Sequence, residues 1–150
     1  MPLKAMILSD SHGSLGSKAV RSLMNSDIVI FAGDFADSGT YDLISAYSNK
    51  LYAVRGNCDC GLWAEKLPRS LIFRIEDVTF YLIHNRDEAG YIPEGIDVVI
   101  HGHTHVHSDR TFNGIRFLNP GSVSRPRGDG THYMIMTVEG DRISVEVENC

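Results

Sequence analysis

The chain has few cysteines, no excess of basic residues and no long apolar run, and each shortage closes off a class of function. Cysteine occurs three times in 150 residues, as Cys58, Cys60 and Cys150. An odd count with no secretory leader argues against a disulfide framework. Cys58 and Cys60 look like half of a structural zinc site, but no second cysteine pair follows. Basic residues are outnumbered, 14 Lys and Arg against 19 Asp and Glu, for a formal net charge of -5. That balance argues against strong non-specific attraction to nucleic acid or an anionic membrane. It leaves an anionic small substrate open, because two bound divalent ions would place four positive charges at one spot. The apolar start from Met1 to Leu8 is interrupted by Lys4 and ended by Asp10. It is too short for a signal-peptide core, and no later run is long enough to span a bilayer. A cytoplasmic location without membrane attachment is therefore expected.

What is present is ordinary in bulk and unusual in placement. At 43% hydrophobic and 22% charged, with no repeat and no low-complexity stretch, residues 1–150 read as one domain around one main core. Lys4 to Ser9 and Asp27 to Ala32 are mostly apolar runs, the pattern of strands buried on both faces. Leu51 to Arg55 is a shorter third strand. Between them, Ser14 to Asn25 has helical spacing with Ser14 as its cap. Ser38 to Asn49 has helical spacing too, with Tyr41, Leu43, Ile44 and Tyr47 as apolar contacts. This β-α-β-α-β order predicts parallel pairing. Three hairpins are predicted later. They turn at Glu76-Asp77, at Asn113-Gly114 and at Glu139-Gly140-Asp141, with a buried strand at Ile96 to His101 between the first two. Two packed sheets with helices outside would satisfy both halves.

Five of these strands run straight into polar residues. The first ends in Ser9-Asp10-Ser11-His12-Gly13, the second in Gly33-Asp34 and the third in Gly56-Asn57-Cys58-Asp59. Ile83 is followed by His84-Asn85, and Ile100 by His101-Gly102-His103-Thr104-His105. Ligands bind outside the carboxyl ends of strands in open α/β sheets. Imidazole, carboxylate and amide donors together suit borderline transition metals. Asp10 and His12, and likewise His103 and His105, are one residue apart, so extended backbone would point each pair to one side. A scatter of solvated loop residues would not share strand ends in this way. His101, His107 and His132 lack that support and read as core or surface residues, with His101 near enough to brace a ligand. Trp63, within Cys60 to Leu67, is either a lid, an oligomer contact or a packing residue, and packing is the plainer reading.

In this order the blocks D-x-H, G-D, G-N-C-D, H and G-H-x-H resemble the calcineurin-like metallophosphoesterases, from about Leu3 to Arg127. Asn119-Pro120-Gly121-Ser122, a turn near the site, and Arg125-Pro126-Arg127 after it resemble the small prokaryotic phosphodiesterase branch. The resemblance implies a four-layer αββα sandwich of two mixed β-sheets flanked by helices. It implies two divalent ions, Mn2+ foremost, with Ni2+, Fe2+, Zn2+ and Co2+ as alternatives. Asp10, His12 and His105 would hold the first ion and Asn57, His84 and His103 the second. Asp34 would bridge them, and a hydroxide between the ions would attack phosphorus. Asn57, Cys58 and Asp59 are the candidate catalytic group, with Asp59 supporting rather than ligating. Asn85, Arg125 and Arg127 are candidate substrate contacts.

Three departures from the family pattern shape the expected activity. Cys58 stands where many members have histidine. A thiol, with a reference pKa of ~8.5, is a poorer acid near neutrality than imidazolium. Activated diesters should therefore react better than esters with poor leaving groups. Asn85 replaces the usual glycine after His84, so its amide either crowds the second ion or meets substrate. The segment from Glu88 to Gly95, with Pro93, is too short and irregular for the helix relatives fit there, which should open the rim. A small phosphodiester or phosphomonoester is the expected substrate, and the resemblance suggests a homodimer or homotetramer. Two other readings compete. One is a protein-binding scaffold, like a retromer subunit of the family, although that subunit departs from the enzyme ligand pattern and this chain keeps every position. The other is a nuclease for short nucleic acids, limited by the absence of a basic, aromatic-rich stripe.

Overall fold

The computed structural model describes residues 2–13, 15–124 and 130–150. Ten strands form two five-stranded sheets that face each other. The first sheet contains β1 (Leu3–Leu8), β2 (Ile28–Phe31), β3 (Leu51–Ala53), β9 (His132–Glu139) and β10 (Arg142–Asn149), in the order β10-β9-β1-β2-β3. The second contains β4 (Ser70–Ile75), β5 (Val78–Ile83), β6 (Val98–Ile100), β7 (Ser108–Phe112) and β8 (Ile115–Asn119), in the order β4-β5-β6-β8-β7. The three predicted hairpins are β4-β5, β7-β8 and β9-β10. Parallel pairing is not confined to the first half. β5-β6 and β6-β8 are parallel as well, because the intervening chain crosses over before the next strand joins.

Strand alternation decides which side chains meet. Ala5 and Ile7 of β1 enter the core between the sheets with Ile28, Ile30, Phe80, Leu82 and Ile100. Met6 and Leu8 point the other way, into a second core under the helices with Val29 and Phe31. These side chains are fully or nearly fully buried. Each of them larger than Ala5 contributes about 1.5–3 kcal/mol relative to exposure. The register that pairs Ile7 with Ile30 and Met134 is thereby fixed, since a one-residue slip would exchange the two cores.

Helix α1 (Ser17–Met24) lays Ala19 and Leu23 on the outer face of the first sheet. Gly16 is its N-cap and supplies no side-chain bond, so the helix starts later than expected; Ser14 lies outside the described residues. Helix α2 (Ser38–Tyr47) is capped by Asp37, whose carboxylate accepts from the Thr40 N–H at 2.7 Å. Ile44 is buried beneath it and Tyr41 and Leu43 pack at its edge, but Tyr47 points to solvent, 50% exposed, because the helix ends there. The short α3 (Leu62–Glu65) seats Trp63 against Phe35 and Tyr41, which decides its role as packing. The outer face of the second sheet carries a thinner layer. A single 3-10 turn at Arg86–Glu88 and irregular chain with Ala89 and Ile92 cover Tyr81, Ile83 and Val99. Among the described residues no helix is long and apolar enough to cross a membrane.

Candidate metal centre

The ends of β1, β2, β3, β5 and β6 converge, and short backbone bonds lash their loops together. The Asp10 N–H donates to the Gly33 carbonyl at 3.0 Å, His12 to Asp34 at 3.2 Å, and Gly102 to His84 at 2.8 Å. Asp10, His12, Asp34, His103 and His105 all have positive φ, from 44° to 74°. The expected extended D-x-H and H-x-H segments are therefore corrected. Each side chain is aimed inward by a left-handed bend at its own residue rather than by strand alternation. Such backbone costs L-residues about 1–3 kcal/mol each and persists where surrounding structure enforces it.

The enforcing structure centres on Asp59, buried to 2% exposure. Its two oxygens accept from the backbone N–H groups of Asp34 (2.9 Å), Ala36 (2.9 Å) and Gly56 (2.8 Å). The β2 and β3 loops are thus tied to one carboxylate. Gly56 is required for space: a Cβ there would collide with the Asp34 carboxylate. Ser9, Asn119 and Ser122 complete the frame. Ser9 Oγ donates to Asp10 Oδ2 at 2.7 Å, and Ser122 Oγ donates to the Asp10 carbonyl at 2.7 Å. Asn119 Nδ2 donates to the Gly102 carbonyl at 3.3 Å and to Thr104 Oγ1 at 2.9 Å. The turn at 119–122 was legible from its residues. Ser9 was missed, although its position directly before Asp10 at a strand end was the available signal.

Each central carboxylate has one oxygen held and one oxygen presented. Asp10 Oδ2 accepts from Ser9 and from the His103 N–H at 3.1 Å. Asp10 Oδ1 is buried and accepts no hydrogen bond, yet His105 Nε2 lies 3.3 Å away and the Nε2 atoms of His12 and His84 each lie at 3.8 Å. Asp34 Oδ1 accepts from the Cys58 N–H at 2.8 Å, while Oδ2 faces His84 Nε2 at 3.2 Å and His12 Nε2 at 3.6 Å. His84 Nδ1 donates to the Ala32 carbonyl at 2.7 Å, which frees Nε2 as an electron-pair donor. Asn57 Oδ1 stands 2.9 Å from His84 Nε2 and 3.1 Å from His103 Nδ1. His12 Nε2 and His105 Nε2 are 3.1 Å apart, the spacing of neighbouring ligands bound at about 2.1 Å from one ion. Among the described residues, Asp10, His12 and His105 lie close enough together to hold an ion; so do Asp10, Asp34 and His84, which share Asp10 with them, and His12, Asp34 and Cys58. All seven expected ligands thus border one small volume.

The electrostatics show the same demand for positive charge. Burial pushes the Asp10 carboxyl up to about 6, against the lowering pull of His84 and Ser9. Burial also acts to raise Asp34, but the His84 hydrogen bond and charge overcome it and hold the group at about 2. Burial would lower His84, yet its bond to Asp34 and the nearby Asp10 charge raise it. Burial pushes the Cys58 thiol up, and Asp34 adds to the effect. His101 is buried outside this volume, its Nε2 without a hydrogen bond, and burial followed by the Arg86 charge lowers it to about 4. Asn85 Oδ1 accepts from the Asp87 N–H at 3.1 Å and so caps the 3-10 turn beside the centre. Arg125 and Arg127 lie outside the described residues.

Comparison with known proteins agrees with this arrangement. Residues 3–141 match the calcineurin-like phosphoesterase superfamily domain. A probable metallophosphoesterase of Bacillus subtilis, YsnB, is 30% identical over 95% of this chain and 89% of its own length. The Escherichia coli phosphodiesterase YfcE is 27% identical over 95% of this chain and 91% of its own. The fold is that of Entamoeba histolytica Vps29 in complex with zinc, at a TM-score of 0.80, 18% identity and 97% coverage of both chains. With the match spanning all five strand-end blocks, the chain belongs to the calcineurin-like phosphoesterase superfamily.

Proposed function

We propose that this protein is a dinuclear metal-dependent phosphodiesterase. The observation that carries the reading is Asp10 Oδ1, a buried carboxylate oxygen that accepts no hydrogen bond and is ringed by three imidazole nitrogens. A buried charge of this kind is stable only when paired or when it coordinates a metal. Asp10, His12 and His105 would hold the first ion, Asn57, His84 and His103 the second, and Asp34 would serve both, with manganese the first choice and nickel, iron, zinc or cobalt as alternatives. Two such ions supply a water nucleophile at neutral pH and neutralise charge on the phosphoryl oxygens.

The chain's own residues do the rest. Asp59 positions the loops through three backbone N–H groups. The Ala32 carbonyl fixes the His84 tautomer. Cys58, with its thiol pushed up, stays protonated at neutral pH and replaces a stronger acid with a weaker one, which favours diesters with good leaving groups. The name of the relative YfcE supports a diester substrate. Asn85, Arg125 and Arg127 are assigned to substrate contact. The three free thiols fit a reducing compartment, and we place the protein in the cytoplasm. The test is elemental analysis for two ions per chain and hydrolysis of bis-p-nitrophenyl phosphate with added manganese or nickel. Turnover that His103→Ala abolishes is expected. No turnover above buffer with any of the five metals overturns the reading.

A further inference from the structure

A cavity of about 230 Å³ opens directly off the second ligand group, with Asn57 and His84 in its wall. Its other wall carries Arg55 and Arg69. Arg55 is held in place, its Nε donating to the Asp59 carbonyl at 3.1 Å. The ion pairs that Lys and Arg make among the described residues lie elsewhere, at Lys18–Glu148, Arg74–Asp77 and Arg116–Asp109. Arg55 and the exposed Arg69, neither with a carboxylate partner among the described residues, therefore line one cavity in a chain where acids outnumber bases. Ser70 and Tyr81 belong to the same lining, and Glu88 is its acid.

Resting on the phosphodiesterase reading, we infer that this cavity binds a second phosphoryl group of the substrate, so that the substrate is a diester bearing a further phosphomonoester. Whatever fills the cavity lies beside Asn57 and His84, within reach of a substrate held at the second ligand group. A phosphomonoester carries about -1.5 to -2 charges at neutral pH and three acceptor oxygens. Two guanidinium forks match both the charge and the acceptors, where one arginine suffices for a carboxylate. A neutral alkyl or aryl arm would leave both cations unpaired.

The experiment compares thymidine 5′-(p-nitrophenyl phosphate) with the same compound carrying a 3′-phosphate, both read by nitrophenol release. The 3′-phosphorylated substrate is expected to show a kcat/KM about tenfold or more higher, the effect of hydrogen bonds between charged groups. Arg69→Gln collapses that ratio, Glu88→Gln enlarges it, and Arg21→Gln on α1 leaves it unchanged. A second readout is calorimetric binding of thymidine 3′,5′-bisphosphate against thymidine 5′-monophosphate. Equal hydrolysis of both esters with equal binding of both nucleotides overturns the cavity assignment and leaves the phosphodiesterase reading standing. The cavity assignment also falls if the preference survives Arg69→Gln and is lost with Arg110→Gln, a residue that lines the neighbouring cavity beyond Asn85. Hydrolysis of neither ester, nor of bis-p-nitrophenyl phosphate with any of the five metals, with bisphosphate bound about tenfold tighter through Arg69, supports the cavity and overturns the catalytic reading.

Discussion

Asp59 belongs to none of the candidate ion-holding groups among the described residues, yet three backbone donors depend on it. Asp59→Ala leaves those N–H groups buried and unpaired at about 1–3 kcal/mol each. We expect a loss of about 3 kcal/mol in urea unfolding and a drop in manganese affinity of about tenfold or more by calorimetry. Asp59→Asn should recover part of the loss, because one oxygen can keep the bonds from Asp34 and Gly56 while the amide nitrogen faces the Ala36 N–H. His101 gives a prediction with a sign. Its ordinary value of 6.5 falls to about 4 in the folded chain, first through burial and then through Arg86. Between those values the unfolded chain takes up a proton that the folded chain refuses. The stabilisation is therefore complete at neutral pH and is lost as pH falls from 6.5 toward 4, by about 3 kcal/mol at most. Urea titrations of chelator-treated protein across that window should show the slope, and His101→Leu should flatten it.

Loops and strands divided the information differently. The strands were legible because burial on two faces produces apolar runs such as Ile28–Phe31, and because Asn113-Gly114 and Glu76-Asp77 are turn chemistry. The convergence of the seven candidate residues was legible because each follows a strand. Their backbone was not, since side-chain spacing in Asp10-Ser11-His12 suggests extension while the φ values are set by bonds to Gly33 and Asp34 from another loop. Non-local bonds leave no local signature. The cap at Asp37 was overlooked for the opposite reason, an acidic residue beside Ser38 that offered two equivalent starts. Two glycine substitutions separate fold from site. Gly114→Ala, at φ 78° in the β7-β8 turn, should cost about 1 kcal/mol and leave hydrolysis intact. Gly56→Ala forces the Asp34 carboxylate aside and should lower manganese affinity by about tenfold or more with about 1–3 kcal/mol of destabilisation. Chemical denaturation and calorimetry on the same pair would show the contrast.

At the scale of the molecule, two five-stranded sheets bury their shared core without help from the centre, so ion removal should weaken the chain rather than unfold it. Manganese at 100 times its dissociation constant should add about 2.7 kcal/mol per site, read as a rise in Tm that a chelator reverses. The five left-handed ligand residues then have a consequence for how sequence change is tolerated. Glycine adopts that backbone freely, whereas Asp and His are held there against their preference. His103, half-buried at φ 74°, gives up little packing on truncation, so His103→Gly should melt about 2 °C higher than the parent in chelator while hydrolysing nothing. Random mutagenesis screened for thermal tolerance alone would drift toward such inert variants. On the phosphodiesterase reading, selection for turnover is what would keep Asp and His at these bends against selection for foldability.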